Sequence, residues 1–326
     1  MARRRITFAV AALACVAAAL WTSFARADLV PGAHIVAAIP VGGGNGMVDV
    51  GFGSVWVANG GTGAVSRIDP ATNTVVASVP VGQGILGLRT GDGGVWVTNP
   101  AANTLTRIDP ATNTVAATIP VGVLPIGLAV SPGAVWVANH WASPGDPTGS
   151  VMRIDPATNT VVDTILVGAA TTSGPKFIAA AAGSIWVGVP NLQAVVRIST
   201  ATDAIQATIP DKGACANIAA TDTSVWVAGG AGPGCAPGVT RIDTTTNSVV
   251  GDKTNAGGNV AEVAIGFGSV WYTTFKSYFV GRIDPDTAAV QSQLKLSAIP
   301  TGLGIGFGST WVLDPADGLV LRLQPE

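Results

Sequence analysis

The sequence has 326 residues, of which 42 are Gly and 21 are Pro; 48% are hydrophobic and 11% charged, with a formal net charge of −2. High hydrophobicity with little charge excludes a disordered chain. Abundant Gly and Pro beside few Lys and Glu point to many short strands joined by tight turns.

At the start of the chain, Arg3, Arg4 and Arg5 precede an apolar, Ala-rich run over 6–21, and Ala25-Arg26-Ala27 follows. These are the three parts of a secretory signal peptide, with cleavage expected before Asp28. The run falls short of the roughly 20 residues that cross a bilayer. Whether the arginines direct general or twin-arginine export stays open. Residues 28–326 then carry 13 basic and 19 acidic side chains, a net charge near −6. That balance excludes an electrostatic footprint for nucleic acid. No other stretch reads as a membrane span, so a secreted or periplasmic location is expected.

Next comes HIVAAIPVG at 34–42, which matches the text NTVVASVPVG at 73–82. From there the chain repeats itself. A Trp flanked by β-formers recurs at Trp56, Trp96, Trp136, Trp186, Trp226, Trp271 and Trp311, at spacings of 40, 40, 50, 40, 45 and 40. Arg-Ile-Asp-Pro keeps the same phase from Arg67, Arg107, Arg153 and Arg282, with weaker copies at Arg197, Arg241 and Arg322. In the third unit the pattern predicts four strands: a over 127–130, b over 135–138, c over 151–154 and d over 161–167. Ser131-Pro132-Gly133 and Asp155-Pro156-Ala157-Thr158-Asn159 are the turns. Pro presets φ there, Asp and Asn make local hydrogen bonds, and Gly accepts positive φ. Strand b is apolar on both faces, so it must be covered on both sides. Stacking one four-stranded blade against the next achieves this. The last unit ends without a strand d, which segment 34–41 is expected to supply. The prediction is an all-β, seven-bladed propeller over 28–326, closed by its N-terminal strand.

The unit VWVAN…VSRIDPATNTVVASVPVG resembles the YVTN-type β-propeller repeat and, more broadly, the superfamily of virginiamycin B (streptogramin) lyases. The resemblance covers nearly all of 34–324. It implies the fold; by itself it does not carry an activity. The lyases it evokes open a cyclic depsipeptide ester by elimination with Mg²⁺, using a His at the start of a strand a and a His/Glu pair after a strand b. This chain has only His34 and His140. Its strands a begin with Leu86, Ile126, Lys176, Ala216, Ala261 and Thr301, and of the residues just after each strand b only Asp314 is acidic. No catalytic residue, metal ligand or cofactor is therefore carried over.

The a–b and c–d turns are nearly uniform, whereas the d–a and b–c loops vary, and both of these lie at one end of the propeller. A regular scaffold with irregular loops at one end usually binds there. The candidates are His140 and Trp141 in one b–c loop; Phe275, Lys276 and Tyr278 in another; Lys176 in a d–a loop; and Asp314. The strand a position nine residues before each Trp should face the central channel. It holds Met47, Gly87, Gly127, Phe177, Asn217, Glu262 and Gly302, so Asn217 and Glu262 join the candidates, with Glu262 expected to be solvated by channel water. The Asp of Arg-Ile-Asp-Pro is expected to cap its turn, and the Arg to bond loop carbonyls or that Asp. With Cys15 lost in the signal peptide, Cys215 and Cys235 remain, in a d–a and a b–c loop at one end of one blade. A disulfide between them is expected in an oxidising compartment. The function expected is a non-enzymatic binding or scaffold propeller for a small molecule, a glycan or an extracytoplasmic protein. The alternatives are a streptogramin-lyase-like enzyme and a carbohydrate-binding propeller, the latter prompted by Trp141, Phe275 and Tyr278.

Overall fold

The computed structural model describes residues 32–141, 149–168, 174–230 and 234–326. The predicted signal peptide, and residues 142–147 of the loop that follows Trp141, lie outside the described residues. Within them, each Trp segment forms a strand b buried along its whole length, from Ser54–Asn59 in the first blade to Ser309–Asp314 in the last. Seven four-stranded antiparallel sheets result, six in the order a-b-c-d. In the third blade the strands span Pro125–Ser131, Ala134–Asn139, Ser150–Asp155 and Thr160–Leu166, close to the predicted bounds. The seventh sheet is completed by Ala33–Pro40, which pairs with Leu319–Pro325, His34 opposite Gln324 and Ile39 opposite Val320. The strand supplied by the N-terminal segment thus closes the ring.

The repeat markers explain how the blades are held together. In every blade the strand b Trp lies directly opposite the strand c Arg. The guanidinium carbon stacks 4.7–5.7 Å from the indole centroid. So oriented, Arg67 donates to Pro110 O at 2.8 Å and Asn113 Oδ1 at 2.9 Å, both in the c–d turn of the next blade. Arg107 repeats this on Pro156 and Asn159, and Arg322 closes the circle on Pro70 and Asn73. Of the two partners expected for these arginines, the carbonyl is the one used; Asp69 instead accepts from its own turn, at Ala71 N. The backbone N–H groups of Ala71, Ala111 and Ala157 hold the Asp69, Asp109 and Asp155 carboxyls below their usual range. Arg153 is the exception, pairing with Asp203 at 2.8 Å, where the neighbouring turn has Asp in the Asn position.

Candidate functional site: the central channel

Seven strands a converge on the propeller axis, and alternate residues of each point into it. The position nine before each Trp forms one ring. Three of its seven members are Gly for a steric reason: at Gly127 a Cβ would sit 2.5 Å from Lys176 O in the next strand a. Phe177, packed against three separate core clusters, and Met47 fill most of what remains. The channel is pinched here to about 10 Å³, room for roughly one water.

On either side of this waist the channel opens. At the d–a/b–c end lies a cavity of about 420 Å³ whose walls include Leu86, Ile126, Phe177, Val260 and Phe275. Its ionisable groups are Lys176 and Glu262. The Thr301 hydroxyl, also in its wall, is buried with no hydrogen-bond partner among the described residues. At the a–b/c–d end lies a second cavity of about 290 Å³. Around it runs the next ring, seven residues before each Trp: Asp49, Arg89, Ala129, Ala179, Ala219, Ala264 and Gly304.

Glu262 is buried, not solvated as the sequence led us to expect. The bulk of Phe177 and the close approach of the strands leave the carboxyl little exposed surface. Asn217 Nδ2 donates to Glu262 Oε2, while Asn217 Oδ1 accepts from Ile218 N. Burial pushes the Glu262 carboxyl up to about 8, against the opposing pull of the Asn217 hydrogen bond and the Arg89 and Lys176 charges. At neutral pH it is therefore largely protonated and can donate as well as accept. Burial also lowers the Lys176 ammonium, an effect the charge of Glu262 opposes. The Lys176 Nζ lies 5.0 Å from the Phe177 ring centroid.

The other candidates divide between the cavity rim and the surrounding structure. Phe275 stands at the mouth of the d–a/b–c cavity, half exposed. His140 serves the scaffold: its Nδ1 lies 3.2 Å from Gly174 O and 3.3 Å from Pro175 O, just before Lys176. Burial, then the Lys176 charge, lowers its pKa, so the ring is neutral at pH 7. Trp141 is exposed beyond the rim, as is Lys276. Lys276 and Tyr278 both adopt positive φ, 63° and 61°. Asp314 is fully buried under its own loop, accepting from Ala316 N at 3.1 Å and Asp317 N at 3.3 Å. The structure thus brings Lys176, Asn217, Glu262 and Phe275 together and leaves His140, Trp141, Lys276, Tyr278 and Asp314 outside the cavity wall. The Cys215–Cys235 disulfide is formed, with Cα atoms 6.1 Å apart, and Cys215 is part of that wall. Arg89 and Asp49 were missed. The signal for them is the period of two along strand a, which extends the channel slot from nine to seven residues before each Trp.

Neither a protein-family model nor a curated protein matches the chain. Solved structures do. Streptogramin B lyase aligns over 90% of this chain and 98% of its own, at 18% identity and a TM-score of 0.72. Hydrazine synthase from Kuenenia stuttgartiensis aligns over 87% and 96%, at 14% identity and 0.72. The Pan2 WD40 domain from Neurospora crassa aligns over 90% and 95%, at 9% identity and 0.67. This chain shares their fold. At such identities the likeness extends to the backbone, and the chemistry has to be argued from the channel itself.

Proposed function

We propose that the protein is an exported, non-enzymatic binding propeller that takes a small, largely apolar molecule into the d–a/b–c cavity. The observation that carries this reading is a cavity of about 420 Å³ whose largely apolar wall also includes Lys176 and Glu262, two ionisable residues from different blades. That size and that mixture suit a small-molecule site, in which apolar walls supply affinity and a few polar groups set orientation. Cys215, in the same wall, is bound in the disulfide and so is not a free thiol nucleophile. Export rests on the leader-like residues 1–27 and on that disulfide, which persists in oxidising compartments. A thermal-shift screen of small apolar compounds bearing one polar group tests the proposal. Hits should raise the melting temperature of the wild type and lose the effect in Lys176→Gln and Glu262→Gln. A screen without hits, or hits indifferent to both changes, refutes it.

One observation favours a second reading, an enzyme of the streptogramin-lyase type. Glu262 is a buried carboxyl with its pKa raised to about 8 in the wall of a cavity, the character of a general acid or base. The Mg²⁺ implied by that resemblance does not fit: His140 is committed to Gly174 and Pro175, Asp314 lies under its loop, and among the described residues no three His, Cys, Asp or Glu gather as a ligand set. Turnover of virginiamycin B with Mg²⁺, abolished by Glu262→Gln, would establish this reading over the first.

A further inference from the structure

The opposite end of the channel holds a second site, built around Arg89. Each of the other arginines in the described structure stacks on the Trp of its own blade and reaches the next blade or a chain end, so its charge is spent on the scaffold. Arg89 stacks on no Trp. Among the described residues its guanidinium makes one hydrogen bond, from Nη1 to Leu88 O at 2.8 Å. It lines both the waist and the cavity of about 290 Å³ at the a–b/c–d end.

The groups around it leave the guanidinium available. Asp49, the one carboxylate in the wall of that cavity, is turned to the neighbouring strand, where its Oδ2 accepts from Thr90 N at 2.7 Å and Thr90 Oγ1 at 2.9 Å. The rest of the ring is Ala and Gly, so no side chain crosses the axis to meet Arg89. Glu262 feels the Arg89 charge but lines the other cavity, and its side-chain hydrogen bond is from Asn217. A cation in a partly desolvated recess, with spare donors in a planar fork, is a receptor for a planar anion.

The geometry points to a small organic carboxylate as the ligand of this a–b/c–d cavity, held by Arg89 against the narrow waist. A doubly charged phosphate fits less well, because Asp49 shares the ring and like charges repel at this range. The waist separates this cavity from the d–a/b–c cavity, although the Arg89 charge acts across it on Glu262.

Titration of the whole protein with acetate, glycolate and benzoate, each against sodium chloride at equal ionic strength, tests the inference by calorimetry and by broadening of the ligand's NMR signals. Saturable binding of at least one carboxylate is expected. Arg89→Gln should weaken it by about tenfold or more, the loss expected for a charge-assisted pair. Ala219→Leu, which leaves Arg89 in place and fills the cavity, should also block it, while Lys176→Gln should not. Circular dichroism of each variant checks the fold, and Ala219→Leu keeps the test decisive if Arg89→Gln misfolds. Absence of saturable binding, equal binding by Arg89→Gln, loss in Lys176→Gln, or phosphate binding tighter than any carboxylate overturns the inference.

Discussion

Glu262 lies beside the waist in the wall of the d–a/b–c cavity, where its carboxyl is buried and keeps one side-chain hydrogen bond, from Asn217. Its pKa rises from 4.5 to about 8 on folding. Between those values the folded chain holds a proton that the unfolded chain has lost, so stability falls as pH rises through that window. The melting temperature of Glu262→Gln should therefore decline less than that of the wild type from pH 5 to pH 8, a window bounded by those two values. Taking the difference removes the opposing contribution of His140, whose folded pKa is lowered. Parallel melting curves of equal slope would show that Glu262 is not desolvated. A second residue-scale feature is the pair Tyr272 and Gly281, directly opposed on strands b and c of the sixth blade. Other blades have Val opposite a larger residue, such as Val57 opposite Ser66. Here a Cβ on Gly281 would lie 2.3 Å from the tyrosine ring. Gly281→Ser should cost about 1–3 kcal/mol by overpacking. Tyr272→Val in the same chain should restore most of it, and additive effects in denaturant titrations would show that the two are uncoupled.

At the scale of elements, the c–d turn is a device the repeat uses twice. Its last residue takes a left-handed φ near 56° at Asn73, Asn113 and Asn159, a conformation Asn tolerates. The same Asn side chain accepts the Arg of the preceding blade. The sixth blade has Ala288 at φ 57°, and Arg241 reaches Pro285 O at 2.8 Å with no turn amide beside it. Ala288→Asn should stabilise the chain by about 1 kcal/mol or slightly more, relieving the left-handed strain and giving Arg241 a side-chain acceptor. An unchanged denaturation midpoint would mean that the strain is absorbed elsewhere. The disulfide belongs to this scale too. It ties the loop entering the fifth blade to that blade's b–c loop, across a sequence separation of 20. Losing it in Cys215→Ser/Cys235→Ser should cost about 3 kcal/mol. A chain starting at Asp28, denatured without reductant, should show no free thiol, and two thiols would refute the bridge.

For the whole molecule, the decisive element is the closing strand. Ala33–Pro40 makes the outermost strand of the seventh blade, and Ile39 and Val41 join a core cluster with Val55, Ile68 and Trp311 that spans the seventh and first blades. The arginine relay also crosses this seam, from Arg282 to Gly32 O at 3.0 Å and from Arg322 to Pro70 O at 2.7 Å. Removing residues 28–42 should expose the edge of strand Leu319–Pro325 and open the joint, so the protein should unfold or associate. Light scattering coupled to gel filtration, with a melting curve, checks this. A monomer with an unchanged melting temperature would mean the ring holds without its closing strand.

Most of the fold was legible in the sequence, because each blade repeats the same local rules. The Trp phase placed strand b, the Asp-Pro and Gly-containing turns placed its neighbours, and the match of 34–42 to 73–82 placed the closing strand. The loop cysteines were legible for a similar reason, since the repeat assigns both to one end of one blade. The channel was not, because its character comes from seven strands meeting at an axis that no single repeat contains. The slot nine residues before each Trp shows which residues face inward; only their convergence shows that Phe177 and Met47 narrow the channel and that Glu262 is buried. Lys176 and Glu262 share a cavity although 86 positions separate them in the chain. Asp314 and His140 look like site residues in the sequence, but backbone groups of their own and neighbouring loops claim their side chains. Local pattern determined the blades; the desolvation and company of each polar group were decided by tertiary packing, since burial is a property of the closed ring.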